Sequence, residues 1–384
     1  MYRFEDVRTV HLEVTSKCNA RCPMCLRNVL GGKVNPFLPI TELTLADVQK
    51  IFPETLLRQL NRVFMCGNYG DPIMAAETLE IFRYFRAANK NLHLEMFTNG
   101  SARGEDWWRE LAKVVTSCRF SVDGLGDTNA IYRRGTKWPV ILRNMEAYLG
   151  AGGDAEWDYI VFRHNEMQVD DARALAKRLG FRAFNVKKTG RFFSNTKITV
   201  KDQQEVHGLD GQVEYYLEPP ENPRYRNSAL AKENEIVARH GTLKNFFAQT
   251  PITCKVAKER SLFVSAEGLV FPCCWTANQL YPWYYPEKGA PIWKMIEALP
   301  SGLDSLNAKK TTIAEIVSGP FFQTKLPDSW SATSGERLFV CAKTCGQGFD
   351  AFTAQFQSAG QAPQEAATQA VIKALASPET SPRS

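Results

Sequence analysis

Residues 12–28 read LEVTSKCNARCPMCLRN, with Cys18, Cys22 and Cys25 inside eight positions. The spacing is C-x3-C-x2-C, and it follows directly on the apolar run 7–14. Three thiolates on one loop after a strand can close on a soft metal, so iron–sulfur and zinc are the candidates. Zinc asks for a fourth ligand, and the stretch itself holds no His and no fourth Cys. Three ligands also leave one iron of a [4Fe–4S] cube open, and an open metal site can bind and activate a ligand.

Outward from this loop, short apolar runs alternate with amphipathic stretches. Strands are expected at 7–14, 62–66, 92–97, 118–122, 157–162 and 181–186, and helices at 43–58, 76–89, 104–115, 138–151 and 169–179. That alternation predicts a parallel α/β sheet. After 186 the rhythm stops. Residues 187–250 are polar, with Pro219, Pro220 and Pro223, and read as an irregular connecting segment. Residues 261–273 predict a β-hairpin turning at 266–268. Residues 359–384 hold one weak helix and a Ser/Pro-rich end, and are expected to be disordered.

The chain of 384 residues suits one large domain with an appendage. The net charge of +6 permits an anionic partner without requiring one. Ten cysteines are too few for a disulfide scaffold of this length, and their clustering argues for metal ligation in a reducing compartment. The N-terminal MYRFEDVRTV has no apolar signal region, and no stretch is long and apolar enough to cross a bilayer. The expectation is a cytoplasmic protein without a membrane partner.

Further motifs close the expected strands. Cys66-Gly67-Asn68-Tyr69-Gly70-Asp71-Pro72 follows the second, and Thr98-Asn99-Gly100 the third. Phe120-Ser121-Val122-Asp123-Gly124 lies on the fourth, with Ser121 and Asp123 on one side. Tyr132-Arg133-Arg134-Gly135 comes next, and Phe162-Arg163-His164-Asn165-Glu166 ends the fifth strand. With the cysteine loop, these segments resemble the radical S-adenosylmethionine (SAM) superfamily. One departure is Met24, where the family usually has an aromatic residue before the third cysteine.

The resemblance implies a partial (β/α)6 TIM-like barrel over residues 1–186. It implies that Cys18, Cys22 and Cys25 hold a [4Fe–4S] cluster whose open iron chelates SAM. Gly70 and Asp71 would receive the SAM ammonium, Ser121 and Asp123 the ribose, and Arg134 the carboxylate, with Arg133 as its solvated neighbour. His164 and Asn165, at a strand end, are expected to touch SAM or substrate. Cys66 faces the expected cavity, where a thiol can donate a hydrogen atom or simply pack. An electron donor such as flavodoxin or ferredoxin is the implied redox partner.

A second cysteine set lies downstream. Cys254, Gly268 and Cys273 fit C-x13-G-x4-C, and Cys341 and Cys345 fit C-x3-C. This resembles a shortened SPASM or twitch domain over 251–350, with the four cysteines holding an auxiliary [4Fe–4S] cluster. Cys274 is expected beside that site and Cys118 packed in a strand. A four-cysteine zinc site is the competing reading.

The implied reaction is reductive cleavage of SAM to a 5′-deoxyadenosyl radical, which takes a hydrogen atom from a substrate. That substrate is expected to be a peptide or protein side chain, or an amino-acid-like group. A second reading is an isomerase acting on an amino-acid-modified base in phage DNA. It draws on Arg182, Lys187, Lys188, Arg191, Lys197 and Lys201, a run with no acid between them that would suit phosphates. A third reading is a non-enzymatic zinc or iron–sulfur protein, which leaves the later motifs unexplained.

Overall fold

The computed structural model describes residues 1–284, 291–331 and 337–350. The tail expected at 359–384 lies outside the described residues, as do parts of 251–350.

The expected alternation of strand and helix is present. In chain order come β1 (Thr9–Leu12), α1 (Leu45–Ile51), α2 (Glu54–Gln59), β2 (Arg62–Met65), α3 (Thr78–Ala88), β3 (His93–Thr98) and α4 (Glu105–Val114). They continue with β4 (Ser117–Ser121), α5 (Thr128–Tyr132), α6 (Trp138–Gly150), β5 (Ala155–Ile160), α7 (Val169–Leu179) and β6 (Ala183–Lys187). The helical pattern at 43–58 is two helices, because Pro53 supplies no N–H and starts α2 afresh.

Strands β1 to β6 lie side by side in sequence order, all parallel. One face carries Val10, Leu12, Val63, Met65, Leu94, Met96, Cys118 and Phe120, all buried in the main core. The other face alternates to His11, Phe64, Glu95, Arg119, Asp158 and Lys187, and so lines the concave side. Charges on it are paired: Arg119 lies 3.3 Å from Glu95 and 3.0 Å from Glu156, and Lys187 meets Asp158.

Segment 187–250 is not the irregular connector expected. It holds two antiparallel ribbons, β7 (Phe193–Ser194) with β8 (Thr199–Val200) and β9 (Gln204–His207) with β10 (Val213–Leu217). Helices α8 (Glu233–His240) and α9 (Leu243–Gln249) follow. Gly211, at φ +88°, turns the β9–β10 ribbon after Asp210. The polar sequence had hidden it, because one face is open to solvent and the other covers the cysteine loop.

After α10 (Lys255–Glu259) comes the expected hairpin, β11 (Ser261–Val264) and β12 (Val270–Phe271). It does not stand apart as a second domain. β11 pairs in parallel with β1, Thr9 opposite Ser261 and Leu12 opposite Val264, so the sheet runs β12-β11-β1-β2-β3-β4-β5-β6. Helices α11 (Cys274–Ala277), α12 (Pro291–Glu297), α13 (Ile313–Ser318), α14 (Leu326–Ser331) and α15 (Phe339–Cys345) complete the described chain. Ile292, Ile313, Phe321 and Leu326 share one apolar core with Val10 and Leu12. The expected boundary near residue 250 therefore falls within a continuous core. Among the described residues no helix is long and apolar enough to cross a membrane.

Candidate functional site

The predicted motifs gather at the C-terminal ends of the parallel strands, the end of such barrels that carries chemistry. Cys22 is buried with Ala20, Tyr132, Phe162, Phe192, Val206 and Leu217, and Cys18, Met24 and Cys25 pack against the same cluster. Two of the three sulfurs receive N–H groups, and Cys25 Sγ lies 3.9 Å from the Asn68 carbonyl oxygen, to which it donates. Ala20 N lies 3.4 Å and Asn99 Nδ2 3.9 Å from Cys18 Sγ, and Arg133 Nη1 lies 3.9 Å from Cys22 Sγ. Burial pushes the Cys18 thiol up, and the Cys22 thiol up to about 11 although Arg133 pulls it back.

The G-N-Y-G-D-P turn is locked onto this loop. A Cβ on Gly70 would lie 1.9 Å from the Thr15 carbonyl oxygen, so only glycine fits. Asp71 N donates to Lys17 O at 2.9 Å. The buried Asp71 carboxylate accepts from Ile73 N (3.2 Å), Thr98 Oγ1 (2.8 Å) and Asn99 N (2.8 Å). Asp71 thus ties the second motif to the third, and the glycine serves a close approach within the chain.

Glu13, which the sequence reading passed over, holds the same turn from below. Its Oε1 accepts from Tyr69 N and from Gly70 N at 3.0 Å. Burial raises its pKa to about 7 against these bonds. Its signal was alternation: Glu13 stands two residues beyond His11, on the concave face.

The two arginines part ways: Arg133 reaches Cys22 and Asp123, and Arg134 the β9–β10 ribbon. Arg133 Nε pairs with Asp123 at 2.6 Å, and Asp123 also accepts from Ile160 N at 2.6 Å. Burial raises the Asp123 carboxyl, with Arg133 opposing. Arg134 instead donates to the carbonyls of Gly31 (3.1 Å) and His207 (2.5 Å) and pairs with Glu214, clamping the β9–β10 ribbon onto the cysteine loop. In an Arg-Arg pair on a turn, spacing alone does not tell which side chain turns in.

Ser121 alternates with the buried Phe120 and Val122, on the concave side. Asn165 is fully buried, accepting from Phe162 N (2.7 Å) and donating to the carbonyls of Asp123 (2.8 Å) and Ile160 (2.9 Å). Its amide is spent on joining two strand ends, so it is not a free ligand contact. His164 stacks on Phe162, ring centroids 5.4 Å apart, and its buried Nε2 has no partner. Burial lowers its pKa to about 4, so it is neutral near pH 7. Cys66 ends β2, and burial pushes its thiol up to about 12.

The second cysteine set comes together. Residues 251–254 run against 345–347 through an Ile252–Gly346 bridge and a Thr253 N to Cys345 O bond of 3.0 Å. Cys254 stands just before α10, Cys273 just before α11, and Cys341 and Cys345 sit one turn apart on α15. All four line one cavity with Trp275 and Trp330. A hydrogen bond from Cys254 pulls Cys345 below the usual thiol range and pushes Cys254 up. Cys274 is not in the lining; its carbonyl accepts from Asn68 Nδ2 at 3.3 Å.

Both sets suit iron–sulfur chemistry by their donors: three thiols on one loop with N–H groups on two of the sulfurs, and four thiols around one cavity. Among the described residues no three Cys, His, Asp or Glu side chains close at metal-binding spacing.

Three members of the basic run turn to partners within the chain. Arg182 pairs with Asp154 and Glu156, Lys187 with Asp158, and Arg191 turns to the cysteine loop.

Residues 12–179 match the family model described as the radical SAM superfamily. Those residues are a radical SAM domain. The superfamily is one of enzymes that work with a [4Fe–4S] cluster and SAM. Mycofactocin maturase MftC of Mycobacterium ulcerans (strain Agy99) is 30% identical over 171 residues, which is 44% of this chain and 44% of that protein. The chain thus matches under half the length of that curated relative. Two solved radical SAM structures share the fold. SuiB of Streptococcus suis with bound SAM has a TM-score of 0.50 at 12% identity, covering 88% of this chain and 73% of its own. The anSMEcpe structure with bound SAM has 0.50 at 15% identity, covering 96% and 95%.

Proposed function

We propose that this protein is a radical SAM enzyme that modifies a peptide or protein side chain. The observation that carries the reading is the thiol triad of Cys18, Cys22 and Cys25 over the concave mouth of a radical SAM domain. Cys18, Cys22 and Cys25 would hold a [4Fe–4S] cluster, which when bound would supply reductive cleavage of SAM and so hydrogen-atom abstraction from carbon. The chain's own part is to hold and shield. Asp71, Asp123 and Asn165 spend their side chains on protein bonds and set the shape of the mouth. Ser121, His164 Nε2 and the carbonyls of the 67–70 turn are contacts that would face the cofactor, with Arg133 beside them. Cys66 stays a protonated thiol at neutral pH, the form a hydrogen-atom donor needs. Cys254, Cys273, Cys341 and Cys345 hold the auxiliary cluster. Two things support the peptide substrate over a nucleic acid: the relative named a maturase, and the pairing of Arg182 and Lys187 with carboxylates of the chain itself.

The test is anaerobic reconstitution followed by SAM and a reductant. Wild-type protein is expected to release 5′-deoxyadenosine and methionine in equal amounts. Cys18→Ala, Cys22→Ala and Cys25→Ala should each lower the rate at least 100-fold. Turnover surviving in the triple variant sinks the proposal.

A further inference from the structure

We infer that Arg191, reaching in from a segment beyond the radical SAM domain, is a charge that raises the reduction potential of the cluster on the cysteine loop. The inference rests on the proposed reading that Cys18, Cys22 and Cys25 carry that cluster.

Arg191 is held in place from two sides. Its Nη1 donates to the Met24 carbonyl at 3.1 Å and to the Tyr132 hydroxyl at 3.4 Å, and Met24 directly precedes Cys25. Its neighbour Phe192 is buried in the apolar cluster that contains Cys22 and Ala20. Behind it, Thr189 Oγ1 accepts from Arg191 N at 3.1 Å.

Its charge is not cancelled. Arg133 pairs with Asp123, Arg134 with Glu214, Arg163 with Glu218 and Glu221, and Arg182 with Asp154 and Glu156. Arg191 has no carboxylate within ion-pair distance among the described residues. The Arg133–Asp123 pair is neutral as a unit; Arg21 and Arg27, beside the cysteines in sequence, also lack a carboxylate partner among the described residues, and Arg191 adds a further net positive charge from outside the radical SAM domain. The Tyr132 phenol, then the Cys25 and Cys22 thiols, act on it electrostatically.

The sign follows from charge. One-electron reduction adds one negative charge to a cluster, and a nearby cation stabilises the reduced form, so the potential rises. Arg191 is an exposed residue, so salt screens the effect and low ionic strength enlarges it. The role is one of tuning: Arg191 acts through the cluster and touches no reacting atom.

The experiment compares full-length wild type, Arg191→Gln and Arg191→Lys, reconstituted anaerobically and titrated with dithionite and mediators under EPR at low salt. Gln keeps a donor for the Met24 carbonyl and removes the charge, whereas Lys keeps the charge. Gln is expected to lower the reduced-to-oxidised equilibrium constant at least threefold, about 28 mV for a one-electron couple. Lys should move it less than half as far. The titration reads the loaded fraction, so partial loading leaves the result intact. A Gln variant at the wild-type potential overturns the inference, and so do Gln and Lys shifting alike, which would mean a grip on the loop without a charge effect. Wild-type protein that forms no cluster overturns the proposed function instead.

Discussion

Glu13 shows what one buried carboxyl does here. At 2% exposure it sits under the Tyr69–Gly70 turn, and its pKa rises from 4.5 to about 7. Between those values the folded chain keeps a proton that the unfolded chain has released, so stability falls as pH rises through that window. The shift is worth about 3 kcal/mol. Glu13→Gln keeps an acceptor for the turn and removes the titration. Its Tm is expected to gain on wild type as pH goes from 5 to 8, measured by calorimetry. A Tm difference constant over that range would refute the assignment. Residue types in the site were legible in the sequence, but their division of labour was not. Asp71, Asp123 and Asn165 stood at the right strand ends, yet whether a side chain faces a ligand or a neighbour depends on contacts 27 to 42 positions away, such as Thr98 to Asp71 and Asn165 to Asp123.

Among the elements, β1 to β6 and their helices could be read because apolar residues with period two sit between amphipathic stretches. The ribbons of 187–217 could not, because their inner faces are short and mixed, with Phe193, Val206 and Leu217 among polar neighbours. The start of α11, with Cys273 as the residue just before it and Cys274 as its first, separates two adjacent thiols that sequence alone leaves equivalent. Cys273 lines the four-cysteine cavity and Cys274 faces the barrel side, where it feels Cys66 and Glu13. Cys273→Ser is therefore expected to lose about half of the reconstituted iron, as one of two [4Fe–4S] clusters. Cys274→Ser should retain all of it. Iron analysis and absorbance near 400 nm check this, and equal losses in the two variants would discredit the assignment.

For the whole molecule, the consequential pairing is β11 on β1. A fragment ending at residue 250 would carry the radical SAM domain yet leave one edge of β1 open, and unpaired parallel edges invite association. Such a fragment is expected to aggregate, or to elute as oligomers in size-exclusion chromatography. A monomeric fragment with wild-type circular dichroism would show that the edge does not matter. Pattern reading found the hairpin itself but not its partner, since strand order between distant segments leaves no trace in local periodicity. The same pairing sets a clock. Leu12 is made early, but the strand that flanks it at Val264 leaves the ribosome some 250 residues later. At about 5 to 20 residues per second that is a delay of roughly 13 to 50 s. During it the three cysteines beside β1 have emerged while their scaffold is unfinished, an interval in which nascent-chain handling decides whether they meet iron, oxygen or another chain first.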